Sequence, residues 1–68
     1  MSNLKRIRQR LGMSQAKLSE LSGVNVRMIQ HYEQGFKDIN KSQGIILYKL
    51  SRELKCSMEE LLEVSNEQ

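Results

Sequence analysis

The sequence predicts an all-α fold, five short helices packed as one compact domain over residues 1–68. Three observations predict it. Apolar residues recur at helical spacing through most of the chain, as in Leu4, Ile7 and Leu11 or Ile46, Leu47, Leu50 and Leu54. Gly12, Gly23 and Gly35 punctuate that pattern at helix ends, and no proline-rich linker, repeat or low-complexity segment divides it. A chain of 68 residues buries only about 60% of its unfolded surface, which allows one limited core and leaves little room for an enclosed active site.

In the first element, Leu4, Ile7 and Leu11 stand at i, i+3 and i+7, so residues 4–11 form an amphipathic helix stopped by Gly12. Arg8 lies at the edge of its apolar stripe, whereas Lys5, Arg6 and Arg10 turn further toward solvent. The second helix runs from about Gln15 to Ser22. Ser14 is its N-cap, with Met13 and Leu18 at the spacing of a hydrophobic staple, and Leu18 and Leu21 are its packing residues. Gly23 ends it, because glycine reaches the left-handed conformation without a Cβ clash. Asn25 then caps a third helix, about Val26 to Gln34, and Val24 with Ile29 repeats the staple.

Beyond Gly35 the stretch FKDINKSQ reads as a loop. Asn40 and Gln43 have capping-box spacing, so a core helix is expected over residues 41–54, with Gly44 near its start. Ser57 and Glu60 form a second capping box, and Cys56 with Leu61 a third staple. A fifth helix is expected from about Met58 to Glu63, with Met58, Leu61 and Leu62 as its apolar face and residues 64–68 fraying.

Two short helices joined through Gly23, Val24 and Asn25 make a helix-turn-helix unit over about residues 14–35, and the second helix of such a unit is the one offered to the DNA major groove. Ser14-Gln15, Leu18, Gly23-Val24, Ile29, Glu33 and Gly35 stand at the spacing of the Cro and phage-repressor (XRE-type) family. The chain resembles that family over about residues 4–62. The resemblance implies a lambda-repressor-like domain that inserts its third helix into the major groove of double-stranded DNA as a sequence-specific transcriptional regulator of repressor type.

With Ile29 and Tyr32 facing inward, Val26, Arg27, Gln30, His31 and Gln34 fall on the outer face of the third helix. Their chemistry suits a groove: arginine pairs with guanine O6 and N7, glutamine with adenine N6 and N7, and valine meets a thymine methyl. By resemblance Val26, Arg27 and His31, with Gln30 beside them, hold the base-contacting positions. The family's readers at the first two are often glutamine, serine or threonine, so no known target sequence carries over. The same resemblance gives phosphate contacts to Gln15, Asn25, Gln34, Lys37, Lys41 and Arg10, and an ion pair to Arg8 and Glu33. It also implies a homodimer on DNA, with the acidic, apolar-faced C-terminal helix as the expected contact. Ser19 stands where the family most often has alanine.

Charge agrees with a polyanionic partner. The net +3 divides unevenly: residues 1–55 hold all 11 Lys and Arg against four acids, a balance of +7, while residues 56–68 carry −4. No apolar run approaches the roughly 20 residues that span a bilayer, and the opening MSNLKRIRQR has no signal-peptide core, so a cytoplasmic location is expected. Cys56 and His31 cannot make a metal ligand set, and no metal, cofactor or small-molecule substrate is expected. No nucleophile with a base, carboxylate pair or phosphate loop can be assembled, which argues against an enzyme. The other reading of the fold is an antitoxin-like or adaptor module that binds protein, and salt-dependent binding to mixed DNA separates the two.

Overall fold

A computed structural model describes residues 2–63 of the chain. Four α-helices form: α1 (Asn3–Arg10), α2 (Gln15–Ser22), α3 (Val26–Gln34) and α4 (Gly44–Leu54). Two single 3-10 turns, Ile39–Lys41 and Glu59–Leu61, flank α4, and there is no strand among the described residues. The class is all-α, as expected. The α2 helix packs on α3 and α4, and α1 packs on α3 and the C-terminal turn.

The local start signals act as the sequence implies. The Ser14 side chain accepts from the Lys17 N–H and the Asn25 side chain from the Arg27 N–H, while Gly23 and Gly35 end α2 and α3 at φ of 77° and 83°. The first helix is capped by Ser2, whose hydroxyl accepts from the Lys5 N–H. The turn between α2 and α3 is tied from both sides, since the Ser19 hydroxyl donates to the Val24 carbonyl at 2.6 Å and the Ser22 hydroxyl accepts from the Val24 N–H. Ser19 thus holds a bond that alanine would lack.

The core is one cluster: Leu4 and Ile7 of α1, Leu18 of α2, Val24, Ile29 and Tyr32 of the motif, Ile39, Leu47, Leu50 and Leu54, and Leu61. Three expected packing residues are absent from it: Leu11, Leu21 and Met58, the last 36% exposed where no fifth helix forms. Leu11 is 45% exposed because α1 ends at Arg10, before the stripe can carry it inward. Leu21 is 44% exposed because the buried line of α2 runs from Leu18 to Ser22, which turns Leu21 about 100° away from Ser22.

The segment between α3 and α4 also departs from expectation. Asn40 caps no helix; the Asp38 carboxylate accepts its backbone N–H and so starts the 3-10 turn. The Asn40 side chain pairs with the backbone of Glu63 in both directions, donating to its carbonyl and accepting its N–H, each at 2.8 Å. Ser42 is extended, so α4 begins at Gly44, after Gln43, which makes no side-chain cap. At the other end, the Ser57–Glu60 capping box forms reciprocally, yet it opens one 3-10 turn and no fifth helix. Leu62 becomes extended, and its carbonyl accepts from the Asn3 side chain while the Glu63 carboxylate accepts the Asn3 N–H. The expected fraying of 64–68 lies outside the described residues.

Candidate nucleic-acid interface

The third helix is held by a buried polar clamp. Arg8 of α1 reaches Glu33 with two parallel donors, Nε to Oε2 at 2.7 Å and Nη2 to Oε1 at 2.9 Å. This is the fork-on-carboxylate geometry that gives both strength and direction. The remaining valences are used: Arg8 Nη1 donates to the Met13 carbonyl at 2.7 Å, and Gln15 Nε2 donates to Glu33 Oε1 at 2.9 Å. The two charged side chains are only 9% and 2% exposed. The hydrogen bond to Glu33 raises the Arg8 guanidinium above its ordinary value, against the opposing effect of burial. One network therefore joins α1, the loop before α2, the first residue of α2 and the end of α3, and among the described residues no buried side-chain polar atom lacks a partner.

With Ile29 and Tyr32 buried, the opposite face of α3 is open: Arg27 and Gln34 are exposed, and Val26, Gln30 and His31 are half-buried. Among the described residues the ion pairs are Arg8–Glu33 and the exposed Lys17–Glu20, so Arg27, Lys37 and Lys41 carry unpaired positive charge. Asn25, Arg27, Met28, His31 and Lys37 line one shallow depression. Met28 and Lys37 continue into a second with Lys41, Gln43 and Ile46. Arg27 and His31 are thus contiguous with the loop candidates Lys37 and Lys41, whereas Val26 and Gln30 line neither depression. Met28 is shared, packing against the core from one side and flooring the depression from the other.

The expected residues do not all converge. Gln15 stands at the N-terminus of α2 with one amide N–H spent on Glu33 and the other available, where helix-end N–H groups also favour an anion. Arg10 is exposed at the end of α1, its charge acts on Glu60 and Cys56, and it lines neither depression beside α3. The turn Glu59–Leu61 packs against the basic first helix. Phe36 carries no signal in the sequence pattern, since it stands after Gly35 outside any helical period, yet it is 77% exposed beside His31.

Burial and the neighbouring Glu60 push the Cys56 thiol up, against the pull of Arg10, so a half-buried Cys56 is a protonated packing group at neutral pH. No group of three or more His, Cys, Asp or Glu among the described residues could hold a metal ion, and no helix there is long and apolar enough to cross a membrane.

Comparison with known protein families finds that the model of a family described as "Helix-turn-helix" matches residues 4–61, most of the chain. Comparison with curated proteins and with solved structures finds no match.

Proposed function

The chain belongs to the Cro/C1-type (XRE) helix-turn-helix family of DNA-binding regulators, and from that premise we propose that it is a sequence-specific repressor acting as a homodimer on DNA. The observation that carries the reading is the pairing of a rigidly held α3 with an unpaired polar outer face. The buried clamp and the tied turn fix the helix, and Arg27, the first-turn residue of its outer face, has no acidic partner among the described residues.

In this reading Val26, Arg27, Gln30 and His31 meet base edges in the major groove. Arg27 pairs with a guanine and Gln30 with an adenine. Gln15, Asn25, Gln34, Lys37 and Lys41 hold phosphates, with Gln15 using its second amide N–H while Glu33 fixes the first. Arg10 contributes only to the general field, because it faces Glu60. Homodimerisation follows from the short reach of one helix, two copies placing their α3 helices about one DNA turn apart. The C-terminal segment turns Leu61 into its own core, so the contact is better assigned to Ile45 and Tyr48 of α4, which are 52% and 46% exposed.

Selection of bound sequences from a random duplex pool tests the proposal, followed by salt titrations of Arg27→Ala and Lys37→Ala. Arg27→Ala should lose about 1–3 kcal/mol of discrimination at one base pair, with nonspecific binding largely kept. Lys37→Ala should weaken all sequences alike and lower the salt slope by about one. A chain that enriches no sequence and shows no salt-dependent binding would refute the reading.

A further inference from the structure

Phe36 is the most exposed of the large apolar side chains among the described residues, at 77%, well above Ile45 at 52%. Its position is nevertheless fixed. Gly35 turns the chain in the left-handed conformation, and the N–H groups of Phe36 and Lys37 both donate to the His31 carbonyl, at 2.9 and 3.2 Å. The Phe36 ring stands edge-on to the imidazole of His31, with centroids 5.9 Å apart and planes at 72°. Such perpendicular pairs are a favoured aromatic arrangement, so each ring restricts the other. A lone exposed aromatic is ordinary on most surfaces. This one is in ring contact with His31 and adjoins Lys37 in sequence, two of the residues that line the depression with Arg27, where unpaired charge suits a polyanion.

A folded surface that attracts phosphate and also presents a braced apolar ring fits a ligand with apolar groups set between phosphates. In duplex DNA the accessible group of that kind in the major groove is the 5-methyl of thymine, which lies toward the groove's outer edge and accepts contact from phenylalanine. Phe36 follows Gly35, past the end of α3, and its ring packs against His31, which stands four residues, about 6 Å, beyond Arg27 along the helix. It therefore stands beside the His31 end of the face that Arg27 opens. We propose that Phe36 is a specificity-determining residue that reads a thymine methyl at the margin of the site, with His31 as the positioning residue that holds its ring. The inference rests on the proposed insertion of α3 into the major groove.

The test uses the full chain and its selected duplex, with each thymine replaced in turn by deoxyuridine, which removes only the methyl. Removing one buried methyl-sized group should weaken binding by about fourfold at one thymine per half-site. Phe36→Ala should bind the parent duplex less tightly by a similar factor and lose the response to deoxyuridine at that thymine. Phe36→Leu should retain part of it, and His31→Ala should reduce it. An exposed side chain is used so that folding is kept, which circular dichroism of each variant verifies. A Phe36→Ala loss that is equal for thymine and deoxyuridine duplexes would overturn the proposal in favour of contact with deoxyribose. Unchanged binding by Phe36→Ala would overturn it outright while leaving α3 insertion intact. Absence of salt-dependent duplex binding by the unmutated chain would remove both.

Discussion

Replacing either partner of the Arg8–Glu33 pair tests what positions α3. In Arg8→Ala the Glu33 carboxylate, 2% exposed, keeps a single donor, the Gln15 amide. In Glu33→Ala the guanidinium, 9% exposed, keeps only the Met13 carbonyl. Stranding one member of a buried pair costs about 3–5 kcal/mol, and this burial places both variants within that range. A chain of this length has a total stability of about 3–10 kcal/mol, so either single change removes a large fraction of it. Arg8→Met with Glu33→Leu should behave differently, since an apolar pair of similar volume leaves no uncompensated charge and is often neutral.

The assay is urea unfolding followed by circular dichroism for the two alanine variants, their double mutant and the Met/Leu pair. The expected coupling is favourable by more than about 1 kcal/mol, with the double alanine mutant losing less than the sum of the singles. Should a single variant be too unstable to show a folded baseline, the same cycle in a Gly44→Ala background recovers it. The Cβ added at Gly44 meets no atom within 4 Å, and alanine is better than glycine in a helix by up to about 1 kcal/mol, less at this first position of α4. Strictly additive losses would refute the idea that the two groups act as one clamp. The Met/Leu pair adds a functional readout: stability near that of the parent with altered base preference would show that the network sets the aim of α3, beyond holding the fold.

Three further outcomes are expected. Lys55 ends α4 in the left-handed conformation at φ of 56°, where an L-residue is strained by about 1–2 kcal/mol; Lys55→Gly should therefore stabilise thermal unfolding by up to about 1 kcal/mol after its own unfolded-state cost. The Ser57 backbone and hydroxyl bonds, with Arg10 and Arg6 nearby, hold the Glu60 carboxyl below its usual 4.5, so its contribution is present above that pH and lost as pH falls through the depressed value. Glu60→Gln should thus lower the melting midpoint at neutral pH and converge with the parent in acid, as a pH series of melting curves would show. Native mass spectrometry with selected DNA should give two chains per duplex, reduced by Tyr48→Glu; a saturated one-to-one complex would count against the dimer.

The helix-turn-helix is legible in the sequence because its instructions are local. Ser14, Gly23, Asn25 and Gly35 each act on backbone groups within three or four residues, which a linear reading can pair. The elements around α4 are less legible because their partners are remote. Asn40 has capping-box spacing to Gln43, three residues away, whereas it bonds Glu63, 23 residues away, and nothing in the intervening sequence signals that choice. The same strap explains the missing fifth helix, since Leu62 must leave helical geometry for its carbonyl to reach Asn3. Leu21 departs from its expected burial for another reason: periodicity identifies an apolar stripe, but a buried small residue such as Ser22 can turn the stripe away from a leucine.

The clamp residues Arg8 and Glu33 are legible from the edge positions they hold on two amphipathic helices, although the third member is not, because Gln15 faces DNA in the resemblance and Glu33 in the structure. These roles are compatible in one amide, and the compatibility has a consequence. A phosphate drawn by the free N–H of Gln15 would be linked through Glu33 to Arg8 and the end of α3, so holding the backbone and aiming the reader are joined by two hydrogen bonds. The outer residues Val26, Arg27, Gln30 and His31 lie outside that network. They can therefore differ from the family's usual readers without cost to the clamp, which separates the part of the chain that fixes how α3 is held from the part proposed to select what it reads.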